Sequence, residues 1–328
     1  DPYNEILFKL TENNIKSLNF FKNVNSKIID GTNPNSKIIN LSVEEKPTGE
    51  IFAGAGVGTN GGTIGFGVKE NNYLGKGLAV ETNVSISEET LKGNFNIFNP
   101  NYNNSDKSMR FNIEALEIDR TTTSGYKTNK TGLGIGTKFE QYNNIYLSPG
   151  IAISYDDLSV QSTASDSLKK QAGGFTDLSF DYGITADNRN RAYSPTDGYL
   201  TRFSQVIPVY ADSPAIGSTY ALNTYQTMTP NVIGSFKFYA TAINGLNDKD
   251  VRISKRARLP SSKLRGFKPG SVGPKDGKDF VGGNYAVASN FEANLPNFLP
   301  ESTKTDVGLF LDFGNVWNVD YDKNMDAS

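Results

Sequence analysis

The residues best suited to chemistry are one arginine and two carboxylates in the last quarter of the chain. Arg265 lies in a short loop, and two segments of alternating apolar and polar residues follow it at 283–295 and 307–317. Each segment has a single carboxylate on its more polar face, Glu292 in the first and Asp312 in the second. A guanidinium group offers a planar fork for bidentate bonding to carboxylates. The pattern indicates an arginine loop that is tucked into a β-barrel.

Composition excludes most other chemistry. The chain of 328 residues has no cysteine and no histidine, so disulfides, thiolate metal sites, Ser-His-Asp arrangements and HExxH zinc motifs are excluded. The formal net charge of −2 gives no reason to expect nucleic-acid binding. We predict that the protein is not an enzyme and has no catalytic residue, no metal site and no cofactor.

Two enzyme-like motifs fail on context. Ser167 and Lys170 match the SxxK pattern of serine acyl-transfer enzymes, but they lie in a polar loop without an SDN or KTG partner motif. The glycines from Gly132 to Gly136 lack the following helix that a dinucleotide site requires. Neither motif therefore indicates an acyl substrate or a nucleotide.

Most of the chain is predicted to form extended strands. Beyond residue 50, apolar and polar side chains alternate with a period of two in about fourteen segments, separated by Asn, Gly, Asp and Ser turns. A transmembrane helix is excluded because there is no run of about 18 apolar residues. A transmembrane strand needs only about 9 to 11 residues with every second one apolar. We predict an all-β fold, a transmembrane antiparallel β-barrel.

A soluble β-sandwich is the alternative to a barrel. It is disfavoured because the polar faces hold too many Asn, Glu, Lys and Gly residues to form a shared dry core. Turn lengths also favour the barrel: tight turns at 140–143 and 195–198 alternate with longer ones at 157–173 and 256–282. Outer-membrane barrels combine short periplasmic turns with long extracellular loops.

Residues 1–48 differ from the rest and are predicted to form a small soluble α/β piece. Ile15, Leu18 and Phe21 lie near helical spacing, whereas residues 39–43 alternate as a strand. This change in pattern places a boundary between residues 48 and 49.

Six short stretches carry a family resemblance. They are 12–24, 71–77, 193–198, 264–267, 282–284 and 312–317. In that order they resemble the end of the last periplasmic POTRA domain, an early barrel hairpin, a mid-barrel turn, the VRGF or VRGY signature of the sixth extracellular loop, and the two strands after it. Over essentially its whole length the chain is similar to the BamA family, the central subunits of the bacterial outer-membrane β-barrel assembly machinery. The superfamily also holds TamA, the mitochondrial Sam subunit and the two-partner-secretion transporters.

The resemblance implies a division of the chain and a set of site residues. Residues 1–48 would be the C-terminal part of the last POTRA domain, and 49–328 an outer-membrane barrel lacking its last strands, with about 14 of the family's 16 present. The loop motif comprises Leu264, Arg265, Gly266 and Phe267. By resemblance Arg265 reaches into the lumen and pairs with Glu292 and Asp312.

The resemblance also implies a function. It predicts an insertase that folds nascent β-barrels into the bacterial outer membrane by templating them at a lateral seam, with the POTRA part in the periplasm. The implied partners are unfolded outer-membrane proteins, outer-membrane lipid and, through POTRA domains, the lipoproteins of the assembly machinery. No nucleotide is expected. A two-partner-secretion or TamA-like translocation pore is the alternative, and a general diffusion porin ranks last because it should have no POTRA remnant and no arginine loop.

The first strand is the predicted side of the lateral seam. Phe52, Gly54, Gly56 and Gly58 alternate along it. Glycine lowers strand stability and would weaken this edge. Close packing of small residues inside the barrel explains the glycines equally well.

Overall fold

The chain begins with a small α/β module. The computed structural model describes residues 3–33, 36–58, 61–295, 307–322 and 325. Helix α1 (Glu5–Ser17) precedes a hairpin of β1 (Phe21–Asp30) and β2 (Lys37–Glu45). Phe21, which the spacing placed with the helix, is instead the first residue of β1. The reason is that Asn19 adopts a left-handed backbone conformation (φ 60°), which a right-handed helix cannot continue.

One antiparallel sheet of thirteen strands forms the rest of the described structure. Its strands are β3 (Gly49–Gly58), β4 (Gly61–Tyr73), β5 (Leu78–Ser87), β6 (Thr90–Asn99), β7 (Ser108–Arg120), β8 (Tyr126–Tyr142), β9 (Ile145–Val160), β10 (Gly173–Asp187), β11 (Gly198–Ala211), β12 (Ala215–Thr229), β13 (Val232–Gly245), β16 (Tyr285–Leu295) and β17 (Val307–Trp317). Each pairs with its neighbour along the chain, and β13 pairs with β16 across a long loop. The all-β prediction is confirmed, with thirteen strands described where the sequence predicted about fourteen.

Short elements occupy the connections. They are a 3₁₀ turn (Tyr102–Asn104), α2 (Thr121–Ser124), α3 (Asp166–Lys169) and the two-residue strands β14 (Lys275–Asp276) and β15 (Asp279–Phe280). No helix within the described ranges is long and apolar enough to cross a membrane.

The two faces of the sheet differ as a barrel wall requires. On β8 and β9, Leu133 lies opposite Ile153 and Ile135 opposite Ile151, and all four side chains are 41–52% exposed. The other face of the same pair carries glycine, alanine and serine. An exposed apolar face and a small or polar inner face are typical of a membrane barrel, and they exclude the sandwich, which would bury its apolar faces.

Buried apolar residues instead gather in two clusters formed with the loops. The first cluster contains Tyr126, Leu158, Ala164, Leu168, Ile253, Val281 and Val319. The second contains Ala257, Leu259, Leu264, Ala286, Ala288 and Val316. Both clusters include residues of the loop between β13 and β16, so this loop supplies much of the core.

The barrel has two ends, which we call near and far. The near end is the one at which β2 leads into β3, and the far end lies opposite. Two long loops, 161–172 and 246–284, lie at the far end, yet the short turn at 88–89 lies there too. The turn at 188–197, at the near end, is also long. Turn length therefore separates the two ends less cleanly than the sequence predicted.

Candidate functional site

The loop between β13 and β16 (residues 246–284) folds back into the barrel. Leu259 and Leu264 are only 4% and 5% exposed, and they pack against Ala286 and Ala288 on the inner face of β16. The loop therefore covers the lumenal wall at the far end of the barrel.

Small residues on the wall make room for this loop. A Cβ atom on Gly314 of β17 would lie 2.8 Å from Cδ1 of Leu259. In the loop, Gly273 has a φ of 112° and passes so close to Val316 that its own Cβ would lie 2.8 Å from that of the valine. Larger residues at 314 or 273 would push the loop away from the wall.

The loop returns into β16 through residues 282–284, one of the six stretches that carry the family resemblance. Gly282 has a φ of 71°, a conformation that favours glycine. Gly283 forms a bridge with Ala257 and lies against the backbone of Trp317, which leaves no space for a side chain. The buried Asn284 donates from its amide to Asp320 Oδ2 at 3.2 Å. These residues join the base of the loop to the end of β17.

Arg265 contacts both carboxylates. Its Nε and Nη2 donate to Oδ2 and Oδ1 of Asp312 at 2.7 and 2.6 Å, a bidentate fork, and its backbone N–H donates to the same Oδ2 at 3.0 Å. Its Nη1 lies 2.8 Å from Oε1 of Glu292. The hydrogen bonds to Asp312 raise the pKa of the Arg265 guanidinium, so the loop keeps this positive charge at any ordinary pH.

Three residues that the sequence analysis did not select complete the site. Lys237 Nζ on β13 lies 2.5 Å from Oε2 of Glu292, which leaves the carboxylate bridging two cations. Asn290 donates to Asp312 Oδ1 and to the backbone carbonyl of Lys263, both at 2.8 Å. We call Arg265, Lys237, Glu292, Asp312 and their neighbours Asn290 and Phe310 the arginine cluster.

Phe310 is the third of these residues. The Cζ atom of Arg265 lies 3.7 Å from the centroid of the Phe310 ring, a cation–π contact. In the sequence, Phe310 is only an apolar exception on the more polar face of segment 307–317. Its role becomes evident once Arg265 is placed above the ring. Lys237 left a weaker signal, a lone lysine on the inner face of a strand far away in sequence.

The other residues of the loop motif fix the course of the backbone around Arg265. Leu264 is anchored in the second apolar cluster. Gly266 has a φ of 85°, and Phe267 is 53% exposed. Arg265 is thus held between a buried residue and a turn that glycine permits.

The first strand of the sheet pairs only with β4 among the described residues. The ring of Phe52 covers Gly67 on β4, whereas a Cβ at Gly54 or Gly56 would meet no atom within 4 Å. Close packing against other described residues therefore does not explain these two glycines. Gly58 is the last residue of the strand.

The described residues hold no group of three or more Asp and Glu side chains placed to bind a metal ion. At the arginine cluster, ion pairs from Arg265 to Glu292 and Asp312 hold the loop against the wall by charge.

The fold and the arginine cluster define a membrane β-barrel with an inserted loop. The Omp85 superfamily domain matches residues 72–328, and the chain belongs to this superfamily.

Relatives include proteins whose names refer to assembly. The chain is 24% identical over 318 residues to the outer membrane protein assembly factor BamA of Neorickettsia risticii, covering 93% of this chain and 42% of that protein. It is also 24% identical over 282 residues to the sorting and assembly machinery component 50 homolog of Homo sapiens, covering 83% of this chain and 59% of that protein. The chain thus spans about half the length of these two relatives.

Solved structures show the same fold. The crystal structure of BamA from Haemophilus ducreyi lacking POTRA domains 1–3 matches with a TM-score of 0.84 at 20% identity, covering 95% of this chain and 66% of that one. CdiB from Acinetobacter baumannii matches with a TM-score of 0.54 at 12% identity, over 97% of this chain and 59% of that one.

Proposed function

We propose that this chain is the barrel part of an insertase that folds nascent β-barrel proteins into the bacterial outer membrane. The names of its relatives support a role in outer-membrane protein assembly, and the fold resembles that of the BamA barrel. The proposed substrates are unfolded outer-membrane proteins.

The observation that carries the proposal is the first strand. An unpaired strand edge presents free N–H and C=O groups that can template another strand. Within the described residues, a Cβ atom at Gly54 or Gly56 of β3 would meet no atom within 4 Å, so side-chain packing adds little to this strand. A strand that gains little from side-chain packing gives up its neighbour at low cost, which suits an edge that exchanges partners.

The remaining assignments follow from this proposal. Residues 1–48 would be the end of a POTRA domain in the periplasm, and 49–328 the barrel in the outer membrane. Lipoproteins of the assembly machinery would bind through the POTRA domains, and outer-membrane lipid would contact the exposed apolar face. No nucleotide or cofactor is needed, because the folding of the substrate supplies the free energy.

A translocation pore of the two-partner or TamA-like type is the second candidate. The structural likeness to CdiB supports it. A pore must pass polypeptide through its lumen, however, and loop 246–284 occupies the far part of this lumen with buried side chains such as Ile253 and Leu259. The insertase requires no such passage and is favoured.

The two candidates separate in one assay. The intact protein that contains this chain is placed in liposomes, and the folding rate of an added unfolded outer-membrane barrel is followed together with ion conductance. We expect the protein to speed folding, Arg265→Glu to abolish the effect, and Glu292→Arg to restore part of it in the double variant. Unchanged folding combined with a large conductance would identify a pore.

A further inference from the structure

Glu292 pairs with two cations, Lys237 of the wall and Arg265 of the loop. Either cation alone would balance its charge. Glu292 Oε2 accepts from Lys237 at 2.5 Å and from Ser235 Oγ at 3.2 Å, while Oε1 faces Arg265 at 2.8 Å. Among the described residues Asp312 has no such second cation: besides Arg265, it accepts from the neutral amide of Asn290 at 2.8 Å. The two carboxylates therefore depend on the loop to different degrees.

The charges of loop and wall can be counted separately. Beside Glu292 and Asp312 the loop places two cations, Lys263 and Arg265, a local charge of +2. The facing wall contributes Lys237, Glu292 and Asp312, one cation and two carboxylates, for a net charge of −1. Burial and, next, the nearby Lys237 lower the pKa of the Lys263 ammonium, as expected for two cations forced together. Lys237 therefore opposes the insertion of the loop.

Withdrawal of the loop would leave the two carboxylates in different states. Glu292 would keep Lys237 and Ser235 as partners, so of these two carboxylates only Asp312 would lose its cation. A buried carboxylate that loses its partner is costly, whereas one that keeps a partner is not. We propose that Lys237 is a positioning residue that lowers the barrier to release of the loop, by holding Glu292 in place of Arg265.

The proposal concerns the loop itself and does not rest on the proposed function. It predicts an unusual sign for a substitution. Lys237→Met changes the local charge of the wall at Glu292 and Asp312 from −1 to −2, so the loop should be held more tightly there even though a hydrogen bond has been removed. If Lys237 merely supported Glu292, its removal would loosen the loop.

A buried wall residue can report on the loop. The chain has no cysteine, so a single Val316→Cys is unique. Val316 is fully buried beneath the loop and cysteine is smaller than valine, so its sulfur should react with maleimide only when the loop leaves. The rate of modification is measured on the intact protein in liposomes.

We expect Lys237→Met to slow the modification by at least about tenfold and Lys237→Arg, which keeps the charge, to leave it unchanged. Asp312→Asn should speed it. The matched control is Lys92→Met, since Lys92 also pairs with a wall carboxylate, Glu114 at 2.8 Å, but does not contact the loop. This control should have no effect.

A faster or unchanged rate in Lys237→Met would overturn the proposal, as would an Asp312→Asn variant that does not react faster. Folding of each variant is checked by its resistance to unfolding in detergent at room temperature. Lys237→Gln serves as a second variant if the methionine variant does not fold. Failure of both to fold would also count against the proposal, because a residue that only eases loop release is not required for folding.

Discussion

Arg265 holds the loop by three kinds of contact at once. It forms a bidentate fork with Asp312, an ion pair with Glu292 and a stacking contact with Phe310. The Asp312 side chain is only 4% exposed, so its charge depends on this partner more than a surface carboxylate would.

Substitution of Arg265 should separate charge from geometry. Arg265→Lys keeps the charge but loses the fork and the planar stack, so we expect a loss of about 1–2 kcal/mol in the free energy of unfolding. Arg265→Gln leaves Asp312 without a cation and should cost roughly 3–5 kcal/mol. Denaturant unfolding in lipid measures both. The control is Arg191→Gln, at an exposed arginine that donates to the backbone carbonyl of Ser194, with an expected change within about 0.5 kcal/mol. Equal losses for lysine and glutamine would contradict the role of the fork.

Gly283 is the residue at which a single methyl group should do most damage. Its Cβ would collide with the backbone of Trp317, which cannot move without breaking the pairing of β16 with β17. We expect Gly283→Ala to destabilise the barrel by about 1–3 kcal/mol. The matched control is Gly54→Ala, where a Cβ meets open space. Comparable unfolding midpoints for the two variants would show that the base of the loop tolerates a shift.

The faces of individual strands were predictable from the sequence, but their registers were not. The alternation in 283–295 predicted that Glu292 shares a face with Asn290, because successive side chains leave a strand on opposite sides. That Lys237 meets Glu292 depends on the pairing of β13 with β16, in which Ser235 lies opposite Glu292. A long loop separates these strands in the sequence, and nothing in either strand alone fixes their register. The contribution of Lys237 to the arginine cluster was therefore missed.

Strand β3 is the element on which the proposed exchange depends. Gly54→Val and Gly56→Val should each stabilise the strand by up to about 1 kcal/mol, since β-branched residues favour strands and both sites are open. If the edge must exchange partners, the double variant should fold clients more slowly while protecting β3 amides from hydrogen exchange.

The control for this experiment is Gly93→Val in β6. A Cβ at Gly93 also meets no atom within 4 Å, but β6 is paired on both sides, with β5 and β7. We expect client folding to be unaffected by this control. Faster or unchanged client folding in the β3 variant would argue that weakness of this strand has no part in the mechanism.

The whole molecule combines a barrel wall, an inserted loop and an α/β module at the near end. Its division into strands and its membrane-type inner and outer faces followed from period-two alternation alone. The lumenal course of loop 246–284 did not, because loop conformation depends on tertiary contacts such as those of Leu259 with Gly314. The resemblance in short motifs, rather than composition, indicated where the loop would go.

The most direct test of the proposed function asks whether client strands pair with β3. Ile51→Cys places a thiol on this strand, and Ile151→Cys places one on β9, which is paired on both sides. Both isoleucines are outward and exposed, at 76% and 52%. A client barrel with one cysteine in its terminal strand is added during assembly, and disulfide formation is measured on gels, since only neighbouring strands bring Cα atoms within about 4.4–6.8 Å. We predict a cross-link to Ile51→Cys and none to Ile151→Cys. Accelerated client folding without any cross-link at residue 51, across a scan of client positions, would contradict templating at this edge.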